Sequence, residues 1–202
     1  MPAPHRKNIV TIPTAHTGSG FVRIIAGKWR GRKLPVKDLQ GLRPTTDRVK
    51  ETVFNWLQTD LYQACCLDLF AGSGSLGFEA LSRQAEHVTF VEKNAQANRQ
   101  LAINMKSLQI DNASLHHTDA LKFLTSKQSN KNSYDLVFID PPFHQNLLEE
   151  SCDTLESSGM ITTDSLIYIE TELSSVNLPV TWTLVKEKKA GQVYFRLYRK
   201  EK

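Results

Sequence analysis

Tyr134-Asp135-Leu136-Val137-Phe138-Ile139-Asp140-Pro141-Pro142-Phe143 decides the fold. Tyr134 to Ile139 is an almost continuous apolar, β-prone run, the pattern of a strand buried on both faces of a parallel sheet. Pro141 and Pro142 stop it, because neither can donate a ladder hydrogen bond. Pro141 also pushes Asp140 into extended backbone. A carboxylate, rigid carbonyls and an aromatic ring are therefore expected together at a strand's carboxyl end, the edge where open α/β sheets bind ligands. Acceptors beside a flat ring suit a planar group bearing an NH2, either a nucleobase amine or an amide. The plainer reading is a strand followed by a Pro-Pro turn with an incidental Phe143.

Outward from this strand, the chain alternates strand and helix patterns. Strands are expected at Cys65–Phe70, His87–Glu92, Ala113–Thr118 and Tyr134–Ile139. Helices are expected from Ser75, over Ala95–Gln109, over Ala120–Thr125 and through Leu155. Alternation of this kind predicts a parallel sheet with helices on both faces. The end differs: Leu166–Glu170 reads as a strand, and Trp182–Lys188 and Val193–Arg199 read as a hairpin around Lys189-Ala190-Gly191-Gln192. An antiparallel pair can close such a mixed sheet.

Before the alternation, Phe21 to Val36 reads as two short strands around Gly27-Lys28-Trp29-Arg30-Gly31, followed by a linker at Gly41-Leu42-Arg43-Pro44. A helix follows, with Thr46 or Asp47 as its N-cap and Val49, Val53, Trp56 and Leu57 along one face. The expected organisation is a flexible tail over 1–20, a basic hairpin and linker over 21–44, and one α/β domain over 45–202.

The chain has 202 residues, 40% of them hydrophobic, enough for one sizeable core. Its net charge of +4 is mild, but the distribution is uneven. Arg23, Lys28, Arg30, Arg32, Lys33, Lys37, Arg43, Arg48 and Lys50 face only Asp38 and Asp47. A second basic group, Lys186, Lys188, Lys189, Arg196, Arg199 and Lys200, lies near the C-terminus. Both groups suggest contact with a polyanion, against the alternative of an ordinary solvated surface. Cys65, Cys66 and Cys152 have no metal-ligand spacing and read as small buried apolar residues in a reducing compartment. The first twenty residues lack an apolar signal region, and no stretch is long enough to span a bilayer. A cytoplasmic protein without metal is expected, and a monomer.

The strand before Ser75 runs into Asp68-Leu69-Phe70-Ala71-Gly72-Ser73-Gly74-Ser75-Leu76-Gly77, where glycines permit a tight turn and close backbone approach to a ligand. Gly72-x-Gly74-x-x-Gly77 with Glu92 after the next strand also fits a dinucleotide fingerprint, so a nicotinamide dehydrogenase is a contender on this motif alone. Three features shift the balance. Asp68 puts a carboxylate beside a cofactor that can carry positive charge, although it can equally hold the glycine loop. Asp119 can accept from an adenine amine or simply cap the helix from Ala120. Asp140-Pro141-Pro142-Phe143 offers nothing for hydride transfer.

In this order, glycine loop, acid, acid and Asp-Pro-Pro-aromatic resemble the S-adenosyl-L-methionine (AdoMet)-dependent amino-methyltransferases. The likeness is closer still over Arg23–Pro35, Leu42–Leu57, Leu67–Gly77, Phe138–Phe143 and Gly191–Tyr198, which resemble the bacterial RsmD family, guanine-N2 methyltransferases of small-subunit (16S) ribosomal RNA. Ala26, where the family often has Gly, and Ser75, where Ala is common, are the departures. The resemblance implies a class I, Rossmann-like methyltransferase fold with a seven-stranded mixed sheet ending in an antiparallel hairpin, plus the small N-terminal hairpin and helix extension. It implies AdoMet as methyl donor and a guanine in an assembled or assembling 30S subunit as acceptor.

On that basis Asp140, Pro141, Pro142 and Phe143 are the expected catalytic set. Asp140 and the Pro141 carbonyl would accept from the amine, and Phe143 would stack on the base. Cofactor contacts are expected from Asp68, Phe70, Ala71, Gly72, Ser73, Gly74, Glu92, Lys93, Asp119, Ala120 and Asp140. RNA contacts are expected from Arg23, Lys28, Trp29, Arg30, Arg32, Lys33, Arg43, Thr45 and Arg48, with Trp29 equally readable as a packing residue. His116 and His117 read as strand residues, and His144 is a candidate for lining the pocket. Adenine or cytosine in DNA, a protein glutamine, or a non-catalytic role as a ribosome assembly factor are the alternatives.

Overall fold

The computed structural model describes residues 20–36, 46–126, 133–142 and 147–202. Two short strands, β1 (Gly20–Arg23) and β2 (Lys33–Val36), pair antiparallel. Helix α1 (Asp47–Trp56) follows, with Thr46 capping it by accepting from the Val49 amide. Alternating elements come next: β3 (Cys65–Asp68), α2 (Ser75–Ser82), β4 (His87–Val91), α3 (Ala95–Ser107), β5 (Ala113–His116), α4 (Ala120–Thr125), β6 (Tyr134–Ile139) and α5 (Leu147–Ser157). Three strands end the chain: β7 (Ile161–Thr171), β8 (Trp182–Ala190) and β9 (Val193–Lys200). The main sheet has seven strands in the order β5-β4-β3-β6-β7-β9-β8. It is parallel from β5 to β7, and β9 and β8 close it antiparallel.

The order matters for the site. From β3 the chain steps to β4 and β5 on one side, then returns to place β6 on the other. The crevice at that reversal, outside the carboxyl ends of β3 and β6, is where sheets of this kind bind ligands.

Residue alternation on these strands divides the core in two. Cys66, Val88, Phe90, Leu136, Phe138, Leu166, Tyr168, Phe195 and Leu197 face α1 and α2. Leu67, Val91, Val137, Ile139, Ile167 and Ile169 face α4 and α5. The apolar run of β6 is thus covered on both faces, as its composition requires. Cys66 and Cys152 are buried in this core and Cys65 is half-buried, all three as free thiols. β7 begins five residues earlier than its apolar core suggests, because the polar stretch Thr162-Thr163-Asp164 extends the strand.

The basic hairpin is fixed onto the sheet's helical layer. Glu79, fully buried in α2, accepts from the amides of Ile25 at 2.8 Å and Ala26 at 3.0 Å. Ser82 accepts from the Trp29 amide through its hydroxyl and from the Lys28 amide through its carbonyl. A Cβ on Gly27, whose φ is +81°, would lie 1.8 Å from that carbonyl oxygen, so only glycine fits there. Asn104 of α3 reaches the Pro35 carbonyl.

Two residues counted among the surface cations are buried. Lys50 is 1% exposed, donates to the Arg23 carbonyl and lies 4.0 Å from Glu79. Arg196 is 3% exposed and is held by Glu187 and the Leu173 and Ser174 carbonyls. Neither is available to a polyanion, because each already neutralises a carboxylate and satisfies carbonyl oxygens inside the fold.

Candidate active site

β3 delivers the chain into the glycine turn. Gly72 and Gly74 take positive φ, +51° and +75°, and α2 starts immediately afterwards. A Cβ on Gly74 would meet Phe78 and Leu101 side chains at 2.5–2.6 Å, and one on Gly77 would meet the Phe90 ring at 2.2 Å. Gly77 therefore serves close packing of α2 on β4, while Gly72 and Gly74 shape the turn.

Two carboxylates hold the turn from below. Asp68 Oδ2 accepts from the Gly77 amide at 3.1 Å, and Glu92 Oε2 accepts from the Gly72 amide at 2.7 Å. Glu92 Oε1 accepts from the Asn94 amide, which ties the end of β4 to the cap of α3. Burial pushes the Asp68 carboxyl up to about 7, against the lowering effect of the Gly77 amide, with the nearby Glu92 charge adding to the rise.

Asp119 is the N-cap of α4, accepting from the Leu121 and Lys122 amides through Oδ1. The capping alternative is therefore realised, and a carboxylate oxygen has lone pairs left for a further donor. Around this rim Ala71, Ser73 and Ala120 are buried, Phe70 is half-buried against the core, and Lys93 is exposed. His116, the last residue of β5, packs at 5.0 Å from the Phe123 ring, and His117, just past the strand, contacts the Lys93 carbonyl.

Asp140 follows the last residue of β6, half-buried, with Pro141 buried and Pro142 exposed behind it. Burial raises its carboxyl well above the usual range, and the carboxylates of Glu170 and Asp68 raise it further. Asp68, Glu92 and Asp140 thus gather at the ends of β3, β4 and β6, on either side of the sheet's reversal. Phe143, His144, Arg43 and Thr45 lie outside the described residues.

The site fits a donor with a cationic centre and a polar tail. Clustered carboxylates suit a positive charge, and the buried Ser75 hydroxyl at the start of α2 has no hydrogen-bond partner. Among the described residues, no group of three His, Cys, Asp or Glu could hold a metal ion. None of their helices is long and apolar enough to cross a membrane.

Arg23, Lys28, Arg30, Arg32, Lys33 and Arg48 are all exposed. Trp29 is half-buried against the core with Lys28 Nζ 5.0 Å from its ring, so it acts at least as a packing residue that fixes the loop.

Two buried acids escaped the sequence reading. Glu79 is the lone charge in the otherwise uncharged stretch Ser75–Ser82, and that isolation was a readable signal. Glu170 closes the apolar run Leu166–Ile169 just as Asp140 closes its own, and that parallel was readable too.

A parallel sheet with this reversal, a glycine turn into α2 and acids at successive strand ends define a class I AdoMet-dependent methyltransferase. The family model described as Conserved hypothetical protein 95 matches residues 22–199, and the chain belongs to this family, the RsmD family. It is 50% identical over 188 residues to Ribosomal RNA small subunit methyltransferase D of Escherichia coli K12, covering 92% of this chain and 93% of that one. The protein of the same name from Haemophilus influenzae is 51% identical over 183 residues, covering 89% and 94%. The solved structure "Putative methyltransferase yhhF from Escherichia coli" superposes with a TM-score of 0.83 at 46% identity, covering 90% of this chain and 99% of that one.

Proposed function

We propose that this protein methylates the exocyclic N2 amine of a guanine in small-subunit (16S) ribosomal RNA, within the assembled or assembling 30S subunit. The observation that carries the reading is Asp140-Pro141 at the end of β6, a carboxylate and a rigid carbonyl beside the sheet reversal, in a chain half identical to proteins named ribosomal RNA small subunit methyltransferases.

AdoMet, once held here, would supply an electrophilic methyl group whose leaving group is a neutral thioether. The residues do the rest. Asp140 and the Pro141 carbonyl accept from the two amine hydrogens, which turns the lone pair out of conjugation and toward the donor. Asp140 or solvent takes the proton released after transfer. Phe143 stacks on the base, an interaction worth about 1–3 kcal/mol in single-stranded sites. Glu92 would take the ribose hydroxyls, Asp119 the adenine amine, and the turn from Phe70 to Gly74 the methionine end, with Asp68, Lys93 and Ala120 completing the rim.

A guanine in a loop or bulge leaves its stack at lower cost than one in a duplex. Residues 21–44 with Arg48 serve to grip phosphates, and 45–202 carry the chemistry. The working protein is a cytoplasmic monomer without metal.

Labelled methyl transfer to 30S subunits, naked 16S RNA and DNA in parallel, followed by nucleoside analysis, tests this. N2-methylguanosine from subunits is expected, and Asp140→Ala should abolish it while AdoMet still binds. Label in DNA alone, or a near-normal rate for Asp140→Ala, would defeat the reading.

A further inference from the structure

The two faces of the β1–β2 hairpin differ in kind. Val22, Leu34 and Val36 are buried against the core. Alternation puts Phe21, Arg23, Lys33 and Pro35 on the opposite face, and all four are exposed. The register sets Phe21 across from Pro35 and Arg23 across from Lys33. The outer face therefore presents an aromatic ring beside two cations.

A single exposed apolar side chain is ordinary on a protein surface, but Phe21 does not stand singly. It is 58% exposed, whereas every other described phenylalanine is buried or half-buried. Its neighbours Arg23 and Lys33 lie directly opposite each other, a placement in which like charges destabilise a strand pair. Among the described residues neither has a carboxylate partner. An anion lying across the two would offset that repulsion. The ribbon beneath is rigid: Lys50 donates to the Arg23 carbonyl, Asn104 donates to the Pro35 carbonyl, and Glu79 accepts from the Ile25 and Ala26 amides. A face fixed before binding loses little freedom when a ligand settles on it.

We propose that this outer face is a stacking platform for an unpaired base of the ribosomal RNA, with Phe21 under the base and Arg23 and Lys33 on the adjoining phosphates; this rests on the ribosomal RNA reading above. Aromatic rings set in a positively charged surface are how proteins hold single strands. A phenyl ring carries no hydrogen-bonding group, so it grips a base by its face without reading its edge. The base it holds is not the target. Asn104, beside Pro35, lies ten residues along α3 from the Asn94 cap that adjoins Glu92, about 15 Å by helical rise. Stacking there supplies binding energy remote from the reacting amine.

The test measures binding of the full chain to 30S subunits across a range of salt concentrations, for wild type and for Phe21→Ala, Phe21→Leu and Phe21→Trp. Phe21→Ala should bind at least fivefold more weakly at every salt concentration. Its slope of log K against log[salt] should match wild type, because no charge is lost. Phe21→Leu should be as weak as Phe21→Ala. Phe21→Trp should bind at least as tightly as wild type, with the added indole emission quenched by subunits. AdoMet affinity should change less than twofold in all three, and the loss in methylation should fall on KM. Wild-type affinity in Phe21→Ala overturns the assignment. Wild-type affinity in Phe21→Leu also overturns it, since an apolar contact such as a ribosomal protein offers would then suffice. Wild-type enzyme that neither binds nor methylates subunits removes the proposed function and this inference together, whereas normal methylation with an indifferent Phe21 removes the inference alone.

Discussion

The Gly72 amide donates to Glu92 Oε2 at 2.7 Å, so the residue proposed to bind the cofactor ribose also sets the shape of the cofactor turn. The carboxylate serves both ends at once, since Oε1 accepts from Asn94. Glu92→Ala should therefore do two things. Hydrogen bonds to a charged group are worth about 1.5–3 kcal/mol, so urea unfolding should show a loss of that order. AdoMet affinity should fall at least tenfold by calorimetry. Unchanged affinity with reduced stability would leave Glu92 a purely structural strand-end acid.

Asp68 gives a pH signature. Its folded carboxyl lies near 7, above the ordinary 3.8, so the native state keeps a proton that the unfolded chain releases. The stability this contributes is complete below about pH 4 and lost as pH rises through about 7. Asp68→Asn keeps an acceptor for the Gly77 amide and removes the titration. Its melting temperature relative to wild type should rise between pH 5 and pH 8. A cation bound nearby favours the ionised form, so AdoMet should bind wild type more tightly at pH 8 than at pH 6, with proton release visible as a buffer-dependent binding enthalpy. A variant-to-wild-type difference flat across that range would show that Asp68 does not titrate there.

Buried Glu79 ties the hairpin to α2, and its removal should be expensive. Glu79→Ala strips the Ile25 and Ala26 amides of their acceptor and leaves Lys50 buried beside no carboxylate. Breaking one member of such a pair costs about 3–5 kcal/mol. Chemical unfolding should show a loss in this range, and limited proteolysis should cut within 20–36 faster than in wild type. A loss below about 1 kcal/mol would mean that the apolar contacts of Ile24 and Leu34 carry the docking alone.

Glu79 and Glu170 mark where sequence reading stops. β6 was legible because an apolar run ended by two prolines has few other solutions, and α1, α3 and α4 because Thr46, Asn94 and Asp119 are short polar residues at the caps. The glycine turn and the acids at the ends of β3, β4 and β6 were legible from order and spacing. Glu79 stands out by its isolation, but its partners, and the burial of Lys50 and Arg196, were not legible, because a charged letter reads as surface until its partner is known. Glu79 finds its amide donors 53 and 54 residues away. Glu170 needed the β6–β7 register to be seen beside Asp140.

Arg30 and Arg32 are exposed on a loop whose backbone is anchored at Gly27, Lys28 and Trp29, so their charges project from a rigid mount. Reversing both to Glu should leave the fold and AdoMet binding unchanged, since neither side chain packs inside. Every phosphate that the variant no longer neutralises should flatten the salt dependence of RNA binding, by about 0.7–0.9 in the slope of log K against log[salt]. The effect should appear in KM for the RNA substrate more than in kcat, because these residues position the RNA and do not touch the reacting amine. Binding of the double variant measured from low to moderate salt would decide it: a slope equal to wild type would move the RNA-gripping surface away from this hairpin, to the exposed lysines of β8.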